Sequence, residues 1–552
     1  MFRILTVIIA LASLLQAQEP LMLASHARLW LKVPAGQPAL GEVRITPGTA
    51  TPAAWEKDPA VRERHTDMSA PIHWWKWTEI TIRFTPAADG SVDLDLNGPW
   101  SPEKNGRMPR QDVLWDGLTA SGTELHNGGF EEMAEDQPAH WRSPWAPAAR
   151  PEAWPLADSE PKQGKHLAAT WSKSPLVQTL GLKAGVPVTL RLHAKAATPP
   201  QFVKPKILGP DTPAHRALAG LTRGVNLGNG FEAPPDQNWG VHFTTDDIDR
   251  IADEGFDHIR VPVAWHFRIK PENGTWQLDP AFLTELEPLL RRALDRKLHV
   301  LLNWHHFNDL TTDPAAHRER FVAVWDAIAR HFQAWPPGLF FELLNEPCGE
   351  LSTEVANPIQ QQAIAAIRKS NPTRILVVSP GHWGSVGELD KLRLPDGDDR
   401  LVVTVHCYEP FHFTHQGAGW VGLTELRNVR YPGPPETPLP LPATLAGNQG
   451  VRVFLDAYNT LPGDRNPCSI RPIRAALDEA AAWSRHFGRP IHLGEFGCHN
   501  VGDSASRARY LKDVRSLAAA RHIPWTLWEW KAGFGYWDPD RQQPRFRAAL
   551  ME

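Results

Sequence analysis

The chain has 552 residues, too many for one ordinary domain, so two or three are expected. A hydrophobic share of 42% allows large cores, and a net charge of −4 without a basic block argues against nucleic acid as a partner. The count of 24 Trp against 5 Tyr stands out: Trp fills cores, and its flat face also stacks on the apolar faces of sugar rings.

At the start, Arg3 is followed by an apolar run from Ile4 to Leu15 and by Ala17. A short positive region, an apolar stretch and a small residue read as a cleaved secretory signal over residues 1–17, which predicts a secreted protein, extracellular or periplasmic. The run is short for a membrane span and no later segment is apolar enough, so no stable membrane association is expected. The four cysteines, Cys348, Cys407, Cys468 and Cys498, match no zinc spacing; Cys468–Cys498 is the favoured pairing if a disulfide forms, and four free or buried thiols are the equal alternative.

Residues 18–200 read as a β-sandwich region. Arg28–Val33, Glu79–Phe84, Ser91–Leu96 and Val186–Ala196 alternate apolar and polar residues between Pro- and Gly-rich turns, with Val188, Leu190 and Leu192 on one face of the last. Asn127-Gly128-Gly129-Phe130-Glu131, with Gly164–Leu167 and Val177–Leu180, resembles the first half of a jelly-roll carbohydrate-binding module with a galactose-binding-like fold, and Trp75–Leu118 resembles the second half. That order allows one rearranged sandwich or two small ones, and either a sugar binder or a spacer.

A Pro-rich stretch, residues 201–213, reads as a linker. Beyond it, residues 214–552 alternate apolar strands with amphipathic helices. Asp279-Pro280, Asp313-Pro314 and Asn357-Pro358 read as helix starts, and Leu283, Leu286, Leu290 and Leu294 form one stripe. Eight strands can be counted: Gly224–Leu227, His258–Val263, His299–His305, Leu339–Asn345, Ile375–Ser379, Leu401–Tyr408, Ile491–Phe496 and Trp525–Trp530. Eight such units predict an α/β fold, a (β/α)8 TIM barrel. A doubly wound open sheet is the weaker alternative, since no Gly-rich loop follows the first strand.

Barrel enzymes carry their chemistry at the C-terminal strand ends. Here those ends hold Asn226, Arg260, His305 with His306, Asn345 with Glu346, His406 with Tyr408, Glu495 and Trp528. His406 and Tyr408 share a face, as do Trp528 and Trp530, while Cys407 points toward the helices. Two carboxyls across a cleft suit glycoside hydrolysis, one as proton donor and one as nucleophile. Arg260 and Tyr408 beside Glu495 would favour its ionised form, and that charge would keep a proton on Glu346. Each residue also has a structural alternative: Arg260 as the partner of a buried Glu342, and His305 and His306 as caps of the barrel core. His305, His406, His412 and His415 could instead ligate a metal, although no HExxH-like pair accompanies them.

The stretches Arg223–Asn229, His258–Val263, Asn303–His306, Leu344–Pro347, His406–Pro410, Gly494–Gly497 and Trp528–Trp530 together resemble glycoside hydrolase family 5, whose members are retaining (β/α)8 glycosidases. The resemblance implies Glu346 as acid/base and Glu495 as nucleophile, with Asn345 on the sugar 2-hydroxyl. It implies that Arg260, His305, His406 and Tyr408 support the two carboxylates and that Trp528 is a sugar platform; Asn226 and His306 at the strand ends, and Trp420 on the sixth-strand loop, are expected as further substrate contacts. Phe411–Trp420 resembles the sixth-strand loop of bacterial endoglucanase-like members. The expected activity is endo-β-1,4-glucanase on a β-glucan, with β-mannan as an alternative substrate; no cofactor is implied. A Pro-rich insertion, Arg427–Pro472, departs from the pattern. The alternative of another class is a non-catalytic carbohydrate-binding protein.

Overall fold

The computed structural model describes residues 23–34, 37, 40–54, 64–100, 110–134, 137–143, 160–198, 202–237, 239–272 and 275–552. The signal-like leader lies outside them. Two compact units result, one ending at Lys204 and the other beginning at Pro205.

In the first unit, strict alternation builds half-buried antiparallel strands. His26–Val33 buries Ala27, Leu29, Leu31 and Val33 and turns His26, Arg28, Trp30 and Lys32 outward. One five-stranded sheet runs Leu176–Leu182, Gly90–Asn97, His26–Val33, Arg64–Pro71, Thr49–Ala54; the other runs Ala168–Thr170, Val113–Ser121, Val188–Ala196, Thr78–Phe84, Arg44–Thr46. Each sheet mixes early and late strands: Gly90–Asn97 pairs with Leu176–Leu182, and Val188–Ala196 with Thr78–Phe84. Two separate small modules could not share strands in this way, so the region is one unit. Asn127–Glu131, which resembles a strand of a carbohydrate-binding module, forms a turn. Asn127 and Phe130 have positive φ (47° and 58°), and the Asn127 amide donates to the carbonyls of Glu132 and Ala139 (2.7 and 3.0 Å).

The second unit is a closed barrel of eight parallel strands: Arg223–Asn226, His258–Val263, His299–Trp304, Leu339–Glu342, Leu376–Val378, Leu401–His406, Ile491–Phe496 and Trp525–Leu527. Helix Pro213–Leu218, capped by Thr212, closes the N-terminal end, where Ala214 and Leu218 pack on Leu301, Phe340, Val377 and Val402. The chain joins this unit before the expected linker ends: Lys206 N donates to Asp396 (3.1 Å) and Leu208 N to the Phe487 carbonyl (3.0 Å). Asp279 and Asp313 cap helices Pro280–Asp295 and Pro314–His331 as the Asp-Pro pairs predict. Asn357-Pro358 does not start a helix. Ser352 caps Thr353–Arg368 a turn earlier, and Asn357 holds a neighbouring loop by donating to Lys391 O and accepting from Arg393 N (2.9 Å each).

Near their N-terminal ends, the second, seventh and eighth strands form a buried polar layer. His258 and His492 each place Nε2 2.8 Å from Thr526 Oγ1, and Asp257 holds His258 Nδ1 at 2.6 Å. Gly224 makes room for this layer, because a Cβ there would lie 2.2 Å from His258 Nε2. The four cysteines are free thiols. Instead of pairing with Cys498, Cys468 donates its thiol to the Arg430 carbonyl (3.3 Å), and Cys498 is buried.

Candidate active site

Several strands stop short of the polar tips that the sequence pattern extends them to. The fourth ends at Glu342, and its continuation brings Asn345 N to the Trp304 carbonyl (2.9 Å). Glu346 follows in left-handed backbone, φ 46°, with its carboxyl 23% exposed. A non-glycine residue rarely adopts that conformation, and it occurs preferentially at functional sites. The eighth strand likewise ends at Leu527, so Trp528 and Trp530 do not share a face. Trp528 lies parallel to the His305 ring (5.5 Å, 7°), whereas Trp530 is fully buried, donates to Asp247 (3.1 Å) and stacks on Trp537.

At the centre is Arg260, fully buried on the second strand. It grips Glu342 with two bonds, Nε to Oε2 and Nη2 to Oε1, both 2.7 Å. Nη1 donates to Glu495 Oε1 (2.7 Å) and Asn226 Oδ1 (2.9 Å), and Nη2 to Asn345 Oδ1 (2.6 Å). All five guanidinium protons are thus engaged. Burial works against the charge on Arg260, but Glu342 and Glu495 outweigh it and raise its pKa further.

Around this hub the expected residues converge. Tyr408 Oη donates to Glu495 Oε2 (2.8 Å); burial first, then the Glu495 charge, keeps the phenol protonated well beyond its ordinary range. His406 Nδ1 lies 2.7 Å from Glu346 Oε1 and 3.7 Å from Glu495 Oε2. Burial depresses the His406 pKa, yet Glu495 and the bond to Glu346 outweigh it and raise it overall. His305 is held neutral, chiefly by burial and then by His306; its Nδ1 faces Asn303 Oδ1 (3.0 Å) and its Nε2 faces the Asn345 amide (3.4 Å). His306 is exposed at the lip with φ 54°. Trp420 is 66% exposed on the sixth-strand loop, its ring 5.4 Å from His499. Oxygens of Glu346 and Glu495 and a His406 nitrogen all lie within 4.8 Å of one another.

Two expectations are corrected. Asn226 is not available to a sugar: it is fully buried, donating to Gly494 O (3.1 Å) and Leu527 O (3.2 Å) while its carbonyl accepts from Arg260. The histidine set proposed for a metal does not assemble either. His412 stacks on Phe454 and His415 on Phe411, and among the described residues no ligand cluster includes His305, His412 or His415. The group that does converge, Glu346, His406 and Glu495, has Arg260 and Tyr408 donating to its oxygens, which suits hydrogen-bonded carboxyls better than cation ligation.

Other residues of the site escape a reading by strand tips. Gly228 lets Trp528 close over the first-strand loop, since a Cβ there would meet the indole at 2.9 Å. Gly494 gives room beside Glu495, where a Cβ would lie 2.4 Å from Thr404 Oγ1 and 3.1 Å from His406 Nε2. Trp383 is 54% exposed after the fifth strand, at φ 59°, with its N–H on the carbonyl of Pro347, the residue after Glu346. Among the described residues, the exposed large aromatics of this unit are Trp239, Phe267, Trp383, Phe411 and Trp420, and all follow C-terminal strand ends. Behind Trp528, Glu529 is fully buried and accepts from the N–H groups of Lys531, Ala532 and Phe534. Close to it, Glu232 accepts from Asn229 N and leaves Oε2 without a partner.

The sequence profile of the cellulase family, glycosyl hydrolase family 5, matches residues 222–533. Endoglucanase H of Acetivibrio thermocellus is 28% identical over 347 residues, 62% of this chain and 33% of that protein. Endoglucanase 3 of Fibrobacter succinogenes is 25% identical over 354 residues, 60% of this chain and 53% of that protein. The chain therefore spans about a third of the first of these relatives and about half of the second. Among solved structures, Thermotoga maritima Cel5A, in complex with mannotriose and separately with cellobiose, is 30% identical with a TM-score of 0.53, covering 61% of this chain and 99% of that one.

The buried carboxyls behind the Trp528 loop set a pH dependence. Burial raises Glu232 to about 8 and Glu529 to about 7, from 4.5. Between roughly pH 4.5 and 8 the folded state holds protons that the unfolded chain releases, so these groups make stability fall as pH rises. Glu232→Gln, which stays neutral, is expected to match the wild-type melting temperature near pH 4 and exceed it at pH 8. An unchanged difference across that range would show that Glu232 is not held protonated.

Proposed function

The chain belongs to the cellulase family, glycosyl hydrolase family 5, and from that membership we propose that it cleaves β-1,4-glucan internally with retention of anomeric configuration. The observation that carries the mechanism is the closeness of Glu346 and Glu495, which bring one oxygen each within 4.8 Å of the other. Retaining glycosidases hold their carboxyls at about 5–5.5 Å, whereas inverting enzymes leave room for a water between them.

Glu495 is the nucleophile. Its two oxygens accept from Arg260 and Tyr408, which fix the carboxyl in place for attack. Glu346 protonates the leaving oxygen while Glu495 forms a bond to the anomeric carbon, giving a glycosyl ester. Glu346 then takes a proton from water as the water displaces Glu495. His406 orients Glu346 through their 2.7 Å contact. Asn345, oriented by Arg260 and His305, offers its amide to the sugar 2-hydroxyl.

Endo action is supported by the exposed aromatics on the first-, second-, fifth- and sixth-strand loops, which offer a long chain several stacking surfaces. A second substrate, β-mannan, is favoured by the mannotriose complex of the Thermotoga relative. A polymeric substrate also fits export, and removal of the leader after Ala17 is the reading its composition supports.

Glu346→Gln should lower hydrolysis of unactivated β-glucan by about two to four orders of magnitude. It should lose far less on an aryl glycoside whose leaving group needs no proton. Glu495→Gln should lose activity on both. Substantial activity of the Glu495 variant on either substrate would contradict the assignment. On the exported protein, N-terminal sequencing should begin near Gln18; a retained Met1 would contradict cleavage.

A further inference from the structure

The insertion between the sixth and seventh strands has no part in the chemistry above, yet it is firmly attached. Fully buried Gln416 donates to the carbonyls of Phe413 (3.1 Å) and Val429 (2.9 Å) and accepts from Val429 N (3.0 Å). Tyr458, on helix Gln449–Thr460, accepts from Arg430 N (2.8 Å) and donates to Arg430 O (3.1 Å). Tyr431 donates to Asp513, and Arg509 to the Tyr431 carbonyl (2.8 and 2.9 Å), which ties the insertion to the helix after the seventh strand. Bonds from Val429 and Tyr431 to the sixth-strand loop and to that helix, with Tyr458 tying the insertion's own helix to Arg430, make it a fixed body rather than a loose flap.

From that body Phe454 reaches the sixth-strand loop. Its ring lies flat on His412 (4.4 Å, 15°) and is itself stacked with Tyr458 (5.3 Å, 12°). His412 belongs to the short helix Phe411–Thr414. From the same segment, Thr414 Oγ1 donates to the Tyr408 carbonyl (2.7 Å), and Phe411 stacks on His415 (4.3 Å), whose ring meets Tyr408 at 4.9 Å. Tyr408 leads directly to Glu495.

We infer that Phe454 is a positioning residue: by stacking on His412 it fixes the Phe411–Thr414 segment, and so keeps the Tyr408 hydroxyl on Glu495. This rests on the reading of Glu495 as nucleophile. The insertion thereby acts on the reaction without touching substrate. The other groups facing Glu495 are Arg260, Glu346 and His306, on or after the second, fourth and third strands, and His406, which is on the sixth strand but is held in its ladder opposite Glu495. Loosening Phe454 therefore changes one donor to Glu495 and leaves the rest in place.

The full chain carrying Phe454→Leu, Phe454→Tyr or Val453→Ala tests this on soluble β-glucan, with kcat, KM and the pH profile of kcat/KM read below each melting temperature. Val453, 57% exposed on the same helix, controls for general effects there. Phe454→Leu should lower kcat about tenfold with KM changed less, as a small misplacement does. It should also move the acidic limb up by about one pH unit, because a donor to the ionised carboxylate is weakened. Phe454→Tyr keeps the ring and should restore both, and Val453→Ala should match wild type. His412→Leu removes the other half of the stack and should show the same limb shift, so the test stands if Phe454→Leu does not fold. A folded Phe454→Leu or His412→Leu with an unmoved acidic limb would overturn the inference, whatever its kcat. Activity in Glu495→Gln would instead remove the assignment beneath it.

Discussion

One buried cation organises the site. Arg260 sits among two carboxylates and two asparagine carbonyls, and each guanidinium proton has an acceptor. Breaking such a cluster by removing one member typically costs about 3–5 kcal/mol, because a buried charge is left uncompensated. That penalty locks the geometry. Glu342 takes the two-pronged bond, so Glu495 receives one donor from Arg260 and one from Tyr408. Asn226 and Asn345 are set by the same guanidinium, which links the first, second, fourth and seventh strands through one side chain.

The remaining parts are fitted to that hub by what they leave out as much as by what they contribute. Glycines at 224, 228 and 494 clear space for His258, Trp528 and His406, where a methyl would collide at 3.1 Å or less. Left-handed backbone at Glu346, His306 and Trp383 turns three side chains to the C-terminal face. Beneath Trp528, the Glu529 carboxyl gathers three backbone N–H groups and holds the loop that carries the indole. The sixth-strand loop is held from the opposite side, by the insertion.

The barrel was legible because parallel strands buried on both faces read as apolar runs, and because a polar residue recurred at almost every strand end. Arg260, Asn345, Glu346, His406, Tyr408 and Glu495 all come together as that pattern predicts. The pattern failed where period-two alternation was carried past the true strand end: it paired Trp530 with Trp528, although the chain leaves the sheet at Leu527. It also assigned Asn226 to the substrate, since a strand tip does not reveal that its amide is already claimed by Gly494 and Leu527. Glu232, Trp383 and Phe454 were invisible because their roles depend on contacts between distant loops. In the first unit the alternation located strands but not their order, which depends on pairings such as Asp95 with Val177.

The central claim is that Glu346 and Glu495 are close enough for direct attack on the anomeric carbon. The most direct measurement is the anomeric form of the first product, followed by proton NMR on a cello-oligosaccharide before mutarotation. The account predicts that the β-anomer appears first and the α-anomer grows in only as mutarotation proceeds. Initial release of the α-anomer would contradict it.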